Sequence, residues 1–299
     1  MSTPQMYDVV ILGTGPAGLQ AAIHAARRKV SVLVLGKETK SSLYHAHIEN
    51  FCCIFKLSGE EMITTGRQQA ANFGTQFMDQ DVLGIHAVEK GFDIELEGGT
   101  AIHTKTLIIA TGTQRKRLGA PGEKELLGKG VSYCVDCDGN FYRSQEVAVV
   151  GGESAAVDGA LTLTEIAAAV HLVYETLDVA DDLKTKLENS RVIRHPGVKV
   201  ERIDGENEVQ TLLLNDGRRL DVTGVFIEQG AKGLMELATT LGIMLDDEMK
   251  YIAADKQQAT NIPGIFAAGD VCGPPWQMAK AVGEGCVAGL NAAKYAKQK

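Results

Sequence analysis

The chain has 299 residues, 44% of them hydrophobic, with 33 glycines against 7 prolines and a formal charge of -8 at pH 7. That length accommodates two ordinary domains, and the glycine-rich, proline-poor composition reads as globular α/β. The acidic surplus excludes a nucleic-acid binder, the opening residues MSTPQMYDVV lack the basic and apolar regions of a leader peptide, and no apolar run nears the roughly 20 residues of a membrane span. A soluble cytoplasmic protein is therefore expected, in which a disulfide is more often catalytic than structural.

The first predicted unit is βαβ: a strand from Tyr7 to Leu12, the turn Gly13-Thr14-Gly15-Pro16-Ala17-Gly18, a helix from about Leu19 to Arg28 and a strand from Val30 to Leu35. This is G-x-G-x-x-G in its required place between strand and helix. Gly13 permits the tight turn, Gly15 lets backbone approach a pyrophosphate, and Gly18 lets the helix pack closely on the strand. The helix N-terminus adds free N–H groups and the positive end of its dipole. About 20 residues on, where an acidic ribose partner is expected, the chain reads Gly36-Lys37-Glu38, and no partner is assigned.

Leu107 to Gly112 (LIIATG) is a further apolar strand ending in a Thr-Gly turn. Cys134-Val135-Asp136-Cys137-Asp138-Gly139 follows, a C-x-x-C pair that in principle holds zinc, closes a structural disulfide or passes electrons. A second nucleotide-like unit begins at Glu146: the strand Val147–Val150, the turn Gly151-Gly152-Glu153-Ser154-Ala155-Ala156, a helix to about Ala168 and a strand from Val170 to Tyr174. Glu153 stands where a glycine would admit the pyrophosphate, and its repulsion of a diphosphate reaches about 1 kcal/mol per charge pair at contact. After the second strand, Tyr174-Glu175-Thr176 offers no Arg for a 2′-phosphate; Glu175 could accept from a 2′-hydroxyl, which keeps NADH open beside a purely scaffolding role. The last strand region, Ile262 to Asp270, ends in Gly-Asp, an aspartate suited to sugar-alcohol hydroxyls, and a helix from about Trp276 completes the chain.

The six cysteines are 52, 53, 134, 137, 272 and 286. Zinc would need a second ligand pair; Cys52 and Cys53 are vicinal, a poor chelate spacing, with His45 and His47 nearby as the remaining route. Outside the C-x-x-C pair, cysteines are expected to act as small buried hydrophobes.

In order and spacing, GTGPAG, ATG, CVDCDG, VVGGESAA and GIFAAGDV resemble the low-molecular-weight thioredoxin reductases over nearly the whole chain. The resemblance implies an α/β fold of two Rossmann-like dinucleotide-binding domains: a discontinuous FAD domain, 1–114 and 233–299, around a domain, 115–232, carrying the redox disulfide. Breaks are expected near Thr113–Arg117 and Gly230–Gly233, with rotation about them. FAD contacts carry over to Gly13, Gly15, Pro16, Ala17, Gly18, Asn50, Thr111, Gly112, Gly269, Asp270, Gln277 and Met278. By the same likeness Cys134 and Cys137 pass electrons: Cys137 faces the flavin, Cys134 exchanges with a thioredoxin-like protein, and Asp138 moves the proton. Asp136 and Asp138 should raise the thiol pKa values and make the pair more reducing. Family members are commonly homodimers.

The departures are specific. NADPH-using members have G-G-G-x-x-A and then H-R-R with a further Arg; here Glu153 replaces the glycine and Glu175 and Thr176 replace the two arginines. The G-G-Q stretch before Asn50 is replaced around Thr39 to Leu43 by TKSSL. These losses resemble the branch that does not use pyridine nucleotide, with ferredoxin or a second flavin as donor. NADPH is expected to be a poor reductant. The alternatives are an NADH-dependent thioredoxin reductase and, in another class, a flavoprotein redox sensor without turnover.

Overall fold

Val9, Val10 and Ile11 have no solvent exposure, and such a continuous apolar run belongs in a sheet covered on both faces. In the computed structural model, which describes residues 5–112, 117–230 and 234–299 (side chains of 234–237 excepted), they lie in the strand Gln5–Leu12. Thr113 to Lys116 and Ala231 to Gly233, on which the expected breaks fall, lie outside the described residues. The chain divides into two compact units, one of Met1–Leu96, Thr100–Thr113 and Leu237–Lys299, the other of Glu97–Gly99 and Gln114–Glu236.

In the first unit Gln5–Leu12 is flanked by parallel strands Val32–Leu35 and Ala101–Ile109. The sheet extends through Gln76–Met78 on one side. On the other, Ala101–Ile109 pairs along its length with two partners, antiparallel with Gly91–Leu96 and parallel with Ile265–Ala267. This register aligns Leu12 with Leu35 and Ile109, so three strand ends lie together at the carboxyl edge. That edge is where ligands bind in open α/β sheets. Two helices, Pro16–Arg27 and Met278–Ala296, cover one face over a core of Ala17, Ala21, Ala22, Ala288 and Ala292. Their backbones touch: a Cβ on Gly285 would lie 2.2 Å from Ala17 O, and one on Gly289 2.3 Å from Ala21 O. The second helix starts at Met278, two residues later than the sequence suggests, because extended Gln277 forms its N-cap.

The second unit is a parallel sheet ordered Ile193–Pro196, Ala169–Tyr174, Glu146–Val150, Gly224–Ile227, Val131–Ser132. A small antiparallel sheet of Val200–Asp204, Thr211–Leu214 and Arg219–Asp221 shares its core through Leu212, Leu214, Val173 and Ile227. Each fully buried Val, Leu or Ile here contributes about 1.5–3 kcal/mol. The helix after the glycine turn, Ser154–Thr164, ends four residues before the sequence estimate of Ala168. Ile166 and Ala167 N–H both return to Leu163 O and close it as a turn. Each unit is a Rossmann-like α/β fold.

Candidate functional site

In the first unit the glycines act as the motif requires. Gly13 has φ +112°, and a Cβ there would sit 2.3 Å from Ala110 O; one on Gly18 would lie 2.0 Å from Gly13 O. Both are glycine because the fold leaves no room. Gly15 is different. Its φ of -75° suits any residue, and an added Cβ would meet only Ser41 Oγ at 3.4 Å. The protein does not need a glycine at 15, but a phosphate lying against the backbone does. Gly15 caps the helix Pro16–Arg27 with no side-chain acceptor, so the first-turn N–H groups face that opening.

The other candidates converge on this edge in part. Ala110 and Thr111 backbone atoms pass within 3.3 Å of the Gly13 Cβ position, and Gly112 turns with φ +73°. Gly269, φ +89°, lies against Ala17, where a Cβ would be 2.9 Å from the alanine methyl. Its N–H donates to Glu284 Oε2 at 2.8 Å, and Lys280 Nζ spans Gly269 O (2.8 Å) and Glu284 (3.0 Å). Asp270 follows. Burial is the largest influence on its carboxyl and pushes the pKa up, with Lys280 opposing and Glu284 adding. A half-buried carboxylate at a strand end suits ligand hydroxyls. Asn50 Nδ2 donates to Gln277 Oε1 at 3.1 Å, joining the 50s loop to the start of the Met278 helix. Glu38 near the unassigned ribose position pairs with Arg67, which also reaches Asp79 at 2.8 Å and lies over the Phe77 ring. The cradle thus fits a dinucleotide such as FAD.

In the second unit Cys134 and Cys137 form a disulfide. Cys134 is the N-cap of the short helix Val135–Asp138, and its Sγ accepts from Cys137 N–H at 3.1 Å. Cys134 is 7% exposed and Cys137 partly exposed. Two residues absent from the sequence reading organise this turn. Ser132 Oγ donates to Asp138 Oδ2 at 2.6 Å and accepts from Cys134 N–H at 3.1 Å. Glu228, 4% exposed, accepts from Val135 N–H at 3.0 Å. A carboxylate at the end of the apolar run Gly-Val-Phe-Ile was the available sequence signal for Glu228; Ser132 offered none beyond its closeness to Cys134.

The second glycine turn has the plan of the first, with Gly151 matching Gly13, Gly152 matching Thr14 and Glu153 matching Gly15. A Cβ on Gly152 would lie 1.9 Å from Thr176 O, and Asp178 N–H donates to Gly152 O at 2.8 Å. Glu153 is the N-cap of the following helix. Glu175 pairs with Lys199 at 2.9 Å, so this corner is less acidic than the linear sequence suggests. Both side chains are more than half exposed, and such a pair is worth little.

The expectation of buried cysteines fails at Cys52 and Cys53, which are both exposed; Cys272 and Cys286 are partly exposed. Among the described residues no group of three or more His, Cys, Asp or Glu is arranged to hold a metal ion. No described helix is long and apolar enough to cross a membrane.

Residues 7–285 match the family model described as pyridine nucleotide-disulphide oxidoreductase. The thioredoxin reductase of Listeria innocua is 33% identical over 318 residues, covering 99% of this chain and 96% of that protein. The crystal structure of the atypical thioredoxin reductase from Desulfovibrio vulgaris Hildenborough is similar at a TM-score of 0.86 and 35% identity, covering 98% of this chain and 99% of the other. A ferredoxin-flavin thioredoxin reductase from Clostridium acetobutylicum gives a TM-score of 0.73 and 31% identity, over 99% and 100% of the two chains. The chain belongs to the pyridine nucleotide-disulphide oxidoreductases, as a flavin-dependent, thioredoxin-reductase-like disulfide oxidoreductase.

Proposed function

We propose that this enzyme passes electrons from a donor other than NADPH, through FAD in the first unit, to Cys134–Cys137 and on to a thioredoxin-like protein. The observation that carries the choice of donor is the second glycine turn: Glu153 is the helix N-cap at the position that Gly15 holds in the first turn, a carboxylate where a diphosphate would lie. The similar Clostridium acetobutylicum protein is described as ferredoxin-flavin, which makes reduced ferredoxin the first donor to test and a second flavin the next.

FAD, when bound, supplies the two-electron chemistry that reduces a disulfide. Gly13, Gly15 and Gly18, the helix N-terminus from Pro16 and Ala17, and Asp270 would hold it, with Thr111, Gly112 and Gly269 at the strand ends and Asn50, Gln277 and Met278 at the closing helix. In the reduced pair Cys137 is the sulfur on the flavin side. Cys134 thiolate attacks one sulfur of the partner disulfide, the other leaves as thiolate, and Cys137 then attacks Cys134 to release the reduced partner. Asp138 moves the proton, oriented by the Ser132 hydroxyl at 2.6 Å. Domains breaking near Thr113 and Gly230, which rotate to bring Cys134 to the partner, and a cytoplasmic homodimer complete the reading.

The experiment is anaerobic titration of the purified flavoprotein with NADPH, NADH and reduced ferredoxin, following the flavin absorbance. Ferredoxin should bleach it at near-stoichiometric amounts while NADPH is slow at millimolar concentration. Fast reduction by NADPH would overturn the donor assignment, and fast reduction by NADH alone would establish the NADH-dependent alternative.

A further inference from the structure

Phe51-Cys52-Cys53-Ile54 is a tight turn closed by Ile54 N–H to Phe51 O at 3.0 Å, with the two cysteines at its corner. Cys53 has φ +70°, in the left-handed region that disfavours a side chain. The turn therefore holds a thiol where glycine would be easier. Both side chains are exposed, and the sulfurs are 3.6 Å apart. The other thiols differ. Cys134 and Cys137 are already bonded to each other. Burial, reinforced by Glu284, pushes the Cys272 thiol up to about 12, so it stays protonated. Cys286 is one thiol on the helix Met278–Ala296, with no second cysteine beside it among the described residues.

We propose that Cys52 and Cys53 form a second, reversible dithiol–disulfide centre on the flavin-binding unit, oxidised by hydroperoxides. Two thiols without a third protein ligand do not build a closed metal site, which needs about four. They do suit a two-electron exchange. One thiolate attacks the terminal peroxide oxygen; the O–O bond breaks, giving a sulfenic acid and an alcohol or water. The neighbouring thiolate then attacks that sulfur, the S–O bond breaks, and hydroxide leaves and takes up a proton as water. The peroxide gains two electrons and the cysteine pair loses them. Closing the bond brings the sulfurs from 3.6 Å to about 2.0 Å across adjacent residues. A strained, exposed disulfide of this kind has an oxidising potential and is quickly reduced again by a dithiol. The centre lies two residues from Asn50, whose amide donates to Gln277 at 3.1 Å.

The test treats the holoprotein with one equivalent of hydrogen peroxide, alkylates the remaining thiols and maps peptides by mass spectrometry. The peptide holding residues 52 and 53 should lose both alkylatable thiols and two hydrogens in mass, and recover fully with dithiothreitol. Cys53→Ser should instead yield a sulfenic acid at Cys52, trapped by dimedone, with no two-hydrogen loss. Retention of both alkylatable thiols in the unmodified protein would overturn the proposal. So would direct conversion to sulfinic or sulfonic acid that dithiothreitol cannot reverse. The Cys134→Ser/Cys137→Ser protein should behave like the unmodified one at residues 52 and 53; loss of oxidation there would mean that the pair is filled only by exchange with Cys134–Cys137, and would also overturn it.

Discussion

The two glycine turns share a plan and differ in what lies over them. Each joins the end of a parallel strand to the start of a helix. The third position of the first turn is Gly15, where an added Cβ would meet only a serine hydroxyl at 3.4 Å; the same position of the second is Glu153, and both residues are the extended N-caps of their helices. A glycine can be needed by a ligand or by the protein's own backbone, and only the surroundings tell which. The first turn offers bare backbone to a phosphate, whereas the second carries a carboxylate side chain at the same position.

The largest expected effect comes from filling the open turn. Gly15→Val should leave the fold intact, since its φ of -75° and free space tolerate a side chain, yet abolish flavin retention. The measurement is flavin per chain alongside circular dichroism, and normal flavin content would remove the assignment of this cradle.

The reciprocal experiment tries to reopen the second turn. Glu153→Gly combined with Glu175→Arg and Thr176→Arg restores two charge-assisted contacts, nominally worth about 1.5–3 kcal/mol each, or two to four orders of magnitude. The gain in NADPH affinity should therefore be about a hundredfold or more. Stopped-flow flavin reduction across NADPH concentrations reads it. No gain would mean that something other than these three side chains excludes the nucleotide.

If the second unit is kept for its disulfide, its sensitive positions should surround that helix. Ser132→Ala removes the 2.6 Å bond to Asp138, a charge-assisted contact of about 1.5–3 kcal/mol. It should slow disulfide turnover by about tenfold and shift its pH profile, while flavin content stays unchanged. An unaltered pH profile would assign Ser132 to folding alone.

The smallest effect is on stability. His171 Nδ1 and His195 Nε2 are 3.0 Å apart, and Arg218 donates to His195 Nδ1 at 2.9 Å. Burial, the largest influence, holds both imidazoles below their ordinary pKa; Arg218 and the neighbouring histidine lower His195 further, against Asp216, and Glu146 partly opposes the shift at His171. The unfolded chain therefore binds more protons as pH falls below about 6.5. Stability is full above that value and declines as pH drops toward the folded values. Urea midpoints between about pH 7.5 and 5 should fall by an amount that His171→Gln/His195→Gln reduces. Equal pH dependence in both proteins would exclude the pair as its source.

The residues themselves determined the α/β class, two βαβ units and the glycine cradle, because each depends on short-range pattern: β-branched runs, a turn that only glycine permits, and helix starts. Tertiary structure decided the rest. Ser132 and Glu228 reach the disulfide helix from two separate strand ends of one sheet, and Glu228 is 93 positions along the chain from its partner Val135. Lys199 meets Glu175 only because the strand Ala169–Tyr174 and the chain leading into Val200–Asp204 are folded side by side. Cys52 and Cys53 looked like core residues from their type, and became exposed because a tight turn put both at its corner. Local sequence specifies backbone conformation; which groups meet, and what solvent reaches, is decided by the packing of segments far apart in the chain.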